Sequence, residues 1–179
     1  MDASDLVLLI VASSEGGSVR GRTLLQKTAY FINEIEGLGI CYFPHYYGPY
    51  SREVAQAVDS LVAVGLLCES RCAFEPRRFD YSLTDAGKEV VRYIVNEDPG
   101  AVQGVDRVVG TINSRVGSDY HTLSIAAKSY HILDQERRPM TPNDVSAVAD
   151  TMGWSIDPRQ VLGAFQILRD LDLTREHPG

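Results

Sequence analysis

Arg52 and Gln56 stand four residues apart, and on a helix that spacing places both on one face. These residue types can read DNA: a guanidinium donates a forked pair of hydrogen bonds to guanine, and a glutamine amide pairs in the same way with adenine. Glu53, Asp59 and Ser60 lie on the same polar side, so a solvated face of mixed charge is the alternative. Two basic groups could hold phosphates beside such a helix, Arg20, Arg22 and Lys27 in one and Arg71, Arg77 and Arg78 in the other. A basic turn at Arg77 and Arg78 can equally be a soluble edge. A different chemistry is offered by Tyr42, Phe43, Tyr46, Tyr47 and Tyr50, crowded around Pro44 and His45. Rings at this density either pack to seat the next helix or form an exposed patch that recruits a partner.

The elements that must position these residues are written in punctuation and period. Gly48 and Pro49 break the chain, Ser51 can cap a helix, and Val54, Ala57, Val58, Leu61 and Val64 recur at steps of three and four. That stripe predicts a helix from residue 52 with these five residues buried, ended by Gly65. Two strand-forming segments follow around the turn at residues 75–78, with Phe79, Tyr81 and Leu83 alternating before Thr84 caps another helix. Upstream, an apolar core helix over about residues 4–14 and a second helix closed by Gly37 and Gly39 complete the set. Helix, helix, helix, strand, turn, strand, helix is the order of a winged helix-turn-helix, expected here over residues 1–96.

The polar, Pro/Gly-containing cluster at residues 96–100 predicts a boundary, with a second, all-helical region over residues 97–179. Thr141 before Pro142 and Asp157 before Pro158 each read as a helix start. The last helix echoes the central one without gaps, pairing Arg52 with Arg159, Val54 with Val161, Ala57 with Ala164, Leu61 with Leu168 and Val64 with Leu171. Either a duplication or a shared helical stripe produces those matches, and a duplication would make the second region a degenerate helix-turn-helix. The fold class expected is mainly α with a small antiparallel β-hairpin.

Composition sets the outer bounds. With 179 residues, 44% of them hydrophobic, the chain can bury a core, and its apolar runs are too short to span a bilayer. Asp2 and Asp5 stand where a signal peptide would be basic, so a cytoplasmic protein with no membrane contact is expected. Cys41, Cys68 and Cys72 form an odd set, read as reduced, buried thiols, although Cys68 and Cys72 could approach each other across a strand pair. The four histidines lack metal-ligand spacing, and no glycine-rich phosphate loop or nucleophile with a nearby base is present. No cofactor, no metal and no enzymatic activity are therefore expected. The net charge of −7 argues against tight nonspecific DNA binding and leaves only the local basic clusters for phosphate.

The segment Gly21 to Phe31, with Leu25, Gln26, Lys27, Tyr30 and Phe31, followed by Gly48 and Pro49, resembles the Panacea (SocA-like antitoxin) domains and the related YwgA-like proteins. Those carry a Leu-Gln-Lys helix, a Gly-Pro turn and a helix closing on Gly-Leu, and the likeness covers about residues 4–70. The Leu-Thr-x-x-Gly stretch at Leu83 to Gly87 is similar to winged-helix regulators of the PadR and MarR type. Two functions follow as expectations. A transcriptional regulator would set Arg52 and Gln56 against base edges of double-stranded DNA, with Arg22, Lys27, Arg77 and Arg78 on phosphate. A protein-interaction module, an antitoxin or adaptor with a partner such as a toxin, would use Tyr42, Phe43, Tyr46, Tyr47 and Tyr50 instead. Tandem helical modules with exposed faces predict a homodimer in either case.

Overall fold

The side chain of Asp2 accepts the N–H groups of Ser4 and Asp5 in a capping box that opens α1 (Ala3–Ser13). The computed structural model describes residues 1–72, 75 and 78–174. A short strand, β1 (Ser18–Arg20), leads into α2 (Arg22–Glu36), which Gly37 ends in the left-handed region. Ser51 caps α3 (Arg52–Ala63) through the N–H of Val54. The hairpin β2 (Leu67–Arg71) and β3 (Phe79–Leu83) then precedes α4 (Asp85–Glu97), α5 (Pro99–Val116), α6 (Tyr120–Glu136), α7 (Pro142–Thr151) and α8 (Pro158–Asp170). Thr141 and Asp157 cap the last two helices with proline in the first turn, as expected.

The sheet has three antiparallel strands in the order β1-β3-β2, with Tyr81 paired to both Val19 and Glu69. β1 pairs with β3 and adds a third strand to the expected hairpin, in a chain that is mainly α with a small antiparallel sheet. The third strand was not expected, because three residues show no period, and its partner lies about sixty positions away. The Leu-Thr-x-x-Gly stretch has a clear physical role. Thr84 accepts from Gly87 N–H and donates to the Gly65 carbonyl, which ties the start of α4 to the turn after α3. A Cβ on Gly87 would lie 2.1 Å from the Leu66 carbonyl oxygen, so only glycine permits this approach.

α1 is the central strut. Leu6 to Val11 are all buried, because the helix packs against α2, α3, α4, α5 and β3 together. α2 lies against α5 and α6, so one apolar core runs from Leu6 and Phe31 through Val108 and Ile112 to Ala126 and Leu168, across the boundary expected near residue 96. At that point Asp98 ends α4 and caps α5 by accepting from Ala101 N–H.

Two expectations are corrected by packing. Val64 is 68% exposed, because α3 stops at Ala63 and the chain turns at Gly65 to bury Leu67 instead. The thiols are unpaired, but Cys41 and Cys68 are exposed rather than buried; strand alternation turns Leu67 inward and Cys68 outward. Among the described residues no helix is long and apolar enough to cross a membrane.

Candidate interaction surface

The loop between α2 and α3 carries the aromatic run, and it is fixed from several sides. Gln26 holds its far end: the amide donates to the Ser51 carbonyl at 2.9 Å and accepts from the Ser51 N–H at 3.0 Å, both bonds buried. Asn33 holds the near end by accepting from Ile40 N–H at 2.8 Å. Phe43 and Tyr50 exchange two backbone hydrogen bonds of 3.0 Å across the loop, and Trp154, just after α7, donates from its indole to the His45 carbonyl at 2.7 Å. Gly48, at φ 94°, sits so close to α6 that a Cβ there would lie 2.9 Å from Lys128 Cγ.

Lys27 belongs to this clamp and not to a phosphate site. It is only 2% exposed, and its ammonium donates to the Pro49 carbonyl at 2.6 Å. The Leu-Gln-Lys helix faces the core, so the side chain expected at a nucleic-acid surface points inward. Burial, with a smaller push from Lys128, lowers its pKa to about 7.

The five loop aromatics divide into two groups. Tyr42 packs edge-on against buried Tyr30 with centroids 5.0 Å apart, and its hydroxyl is enclosed, contrary to a partner-facing role. Phe43 and Tyr50 pack on each other at 5.5 Å, and the Arg52 guanidinium lies 5.2 Å over the Phe43 ring. Tyr46 and Tyr47 instead stand out, 72% and 45% exposed, in an edge-to-face pair 4.8 Å apart. Tyr120 at the start of α6 extends the patch, 6.4 Å from Tyr47. Sequence reasoning missed Tyr120 and Trp154, since both lie far beyond the loop in the chain; the one tryptophan in the chain was the available signal.

The expected DNA-contacting residues scatter. Arg52 and Gln56 are both exposed on the outer face of α3, together with Glu53, Asp59 and Ser60. Arg22 is drawn to the sheet: Nε donates to the Tyr81 hydroxyl at 2.6 Å and Nη2 to Glu69 at 2.8 Å, while Tyr81 donates to the same carboxylate. Burial pushes Glu69 up, but the bonds from Arg22 and Tyr81 outweigh it and hold the carboxyl below its usual range. Arg78 folds back onto Asp80 at 3.0 Å, Glu75 at 2.6 Å and the Cys72 sulfur at 2.9 Å. Arg77 lies outside the described residues. Among the described residues, no three His, Cys, Asp or Glu side chains group as metal ligands.

One comparison bears on this arrangement. A 141-residue alignment, 26% identical, covers 73% of this chain and 77% of the uncharacterized protein YwgA from Bacillus subtilis (strain 168). The chain is similar to YwgA. The likeness to YwgA reaches beyond the roughly 67 residues of the motif-bearing segment, so it takes in elements outside the clamp as well. No family model matches the chain.

Proposed function

We propose that this chain is a protein-interaction module, which holds its partner on the face formed by Tyr46 and Tyr47. One observation carries the reading: two tyrosine rings stand exposed on a loop whose backbone is tied down at Ile40, Phe43, His45, Tyr50 and Ser51. A rigid aromatic surface loses little conformational freedom on binding, so more of its buried area becomes affinity. The resemblance of the Leu-Gln-Lys clamp to Panacea domains supports an antitoxin or adaptor role, with a toxin-like protein as partner.

A specific observation also favours the second reading, a DNA-binding regulator: Arg52 and Gln56 share the outward face of α3. Against it stand the net charge of −7, the inward Lys27, and the acids already paired with Arg22 and Arg78. The test is to capture a partner with the purified chain, purify that partner, and titrate it calorimetrically against wild type, Tyr46→Ala and Tyr47→Ala. Each substitution should weaken binding by about tenfold or more, with unchanged thermal melting, because buried aromatics dominate protein interfaces. If both variants bind as wild type does while a 20-base-pair duplex binds with a steep salt dependence, the regulator reading replaces this one.

A further inference from the structure

Beside the Tyr46–Tyr47 face lies a groove of about 570 Å³, lined by Arg20, Gly21, Arg22, Tyr47, Arg78 and Tyr120 among others. We infer that this groove takes an acidic segment of the partner protein, with carboxylates on Arg20 and on Nη1 of Arg22 and an apolar side chain between Tyr47 and Tyr120. The inference rests on the interaction-module reading and names the chemistry that the partner must bring.

Charge complementarity is the first argument. Of the three arginines in the groove lining, Arg78 is held by Glu75 and Asp80 and Arg22 is partly held by Glu69, so the cationic groups open to a ligand are Arg20 and the free side of Arg22. Arg20 makes no ion pair or side-chain hydrogen bond among the described residues, and it is exposed at the end of β1. Arg22 uses Nε and Nη2 internally, which leaves the donors of Nη1 for a ligand. The internal bonds also hold the guanidinium in place, so a carboxylate would meet an already oriented donor.

Shape and the surrounding acids choose between classes of partner. The volume falls within the ordinary range of ligand pockets, about 300 to 1,000 Å³, which suits a few side chains of an extended peptide. Glu69, Asp59, Glu75 and Asp80 surround the arginines. A nucleic-acid strand cannot choose where its charges fall and would run past these carboxylates. A peptide can place carboxylates two or three residues apart and set an apolar side chain against the tyrosines, which are themselves suited to such contact.

Panning random twelve-residue displayed peptides on the full chain tests this, followed by fluorescence anisotropy of the best fluorescein-labelled peptide. Wild type, Arg20→Glu, Tyr120→Ala and Tyr46→Ala are compared at two salt concentrations. Arg20 and Tyr120 are exposed, so both variants should fold, as circular dichroism will verify. The expected result is peptides rich in Asp and Glu around an aromatic or aliphatic residue, with affinity falling as salt rises. Arg20→Glu should weaken them by about tenfold or more, as reversal of an interface charge does. Tyr120→Ala should weaken them by roughly three- to tenfold through lost ring contact. Failure to select peptides, selection of neutral or basic ones, or affinity unmoved by Arg20→Glu overturns the inference. If Tyr46→Ala alone impairs binding of the intact partner, the groove falls and the interaction-module reading stands. If a 20-base-pair duplex displaces the peptide and Arg20→Glu abolishes its binding, both fall.

Discussion

The loop between α2 and α3 turns its backbone inward and two of its rings outward, whereas Arg78, at the turn between β2 and β3, is drawn back onto neighbouring acids. Both segments carry residues suited to contact. They differ in what lies within reach. The loop passes over α2, α6 and Trp154, and side chains of α2 together with Trp154 take up its carbonyl and N–H groups, while Tyr46 and Tyr47 are left to solvent. Around the β2–β3 turn, Glu75 and Asp80 lie three and two residues from Arg78 and occupy its guanidinium. A residue's type shows what it can bind, and its neighbours decide whether it is available.

The clamp on the loop is the part of this contrast most easily broken. Gln26→Ala removes the partner of the buried Ser51 N–H, while the Ser51 carbonyl keeps the Ala55 N–H, so it should cost about 1 to 3 kcal/mol, as one unsatisfied buried group does. Urea denaturation measures this directly. A loss under about 1 kcal/mol would mean that the loop does not depend on α2 for its position.

Lys27 sharpens the same contrast through pH. Below about pH 7 the amine is charged in both the folded and the unfolded chain, and the burden of burying it is present in full. Between about pH 7 and the ordinary lysine value of 10.5 the unfolded chain keeps a proton that the folded chain has lost, so stability rises with pH. Lys27 should therefore contribute on the order of 1 kcal/mol per pH unit across that window, through proton linkage. The buried tyrosines Tyr30 and Tyr42, both raised by burial, act in the opposite direction only at higher pH. Melting temperatures of wild type and Lys27→Met from pH 7 to 9 isolate this contribution: the slope should be clearly shallower in the variant, which keeps only the same-signed term of Lys128, also lowered by burial. Equal slopes would show the ammonium to be solvated.

The smallest effect is expected at the β2–β3 turn. Arg78→Ala removes ion pairs of a partly exposed, solvent-screened side chain and should leave the urea midpoint almost unchanged. It should also leave any salt dependence of DNA binding unchanged, because the guanidinium is already neutralised by Glu75 and Asp80. A salt slope flattened by about one unit in this variant would place Arg78 on phosphate and restore the turn as a contact.

Local rules made most of the elements legible. Asp157, Thr141, Thr84 and Ser51 cap the helices expected of them, and Phe79 to Leu83 forms the strand that its alternation implies, because capping and period-two alternation depend on residues within a few positions. The outward placement of Arg52 and Gln56 follows from the same helical period. The echo of α3 in α8 is real in part: Val54 and Val161, Ala57 and Ala164, and Leu61 and Leu168 are buried in both helices. It departs where the neighbours differ, since Ile167 and Leu171 are buried against the helical half while Ser60 and Val64 are exposed.

The sequence by itself determined the helices and the two hairpin strands, though not β1, most of their apolar faces, and that the chain is rich in acid and poor in metal-ligand spacing. Tertiary structure alone decided the fate of Lys27, Arg22 and the loop aromatics. Lys27 and Arg22 sit on one helix within two turns, yet one is inside against the Pro49 carbonyl and the other is on the sheet with Glu69. Tyr42 and Tyr46 are four residues apart in one loop, yet one packs on Tyr30 and the other meets solvent. Helical and strand periods are set by the backbone and can be read from neighbours. The burial of a particular amine or ring depends on which distant segment covers it, and here those segments are Pro49, Ser124 to Lys128 and Trp154.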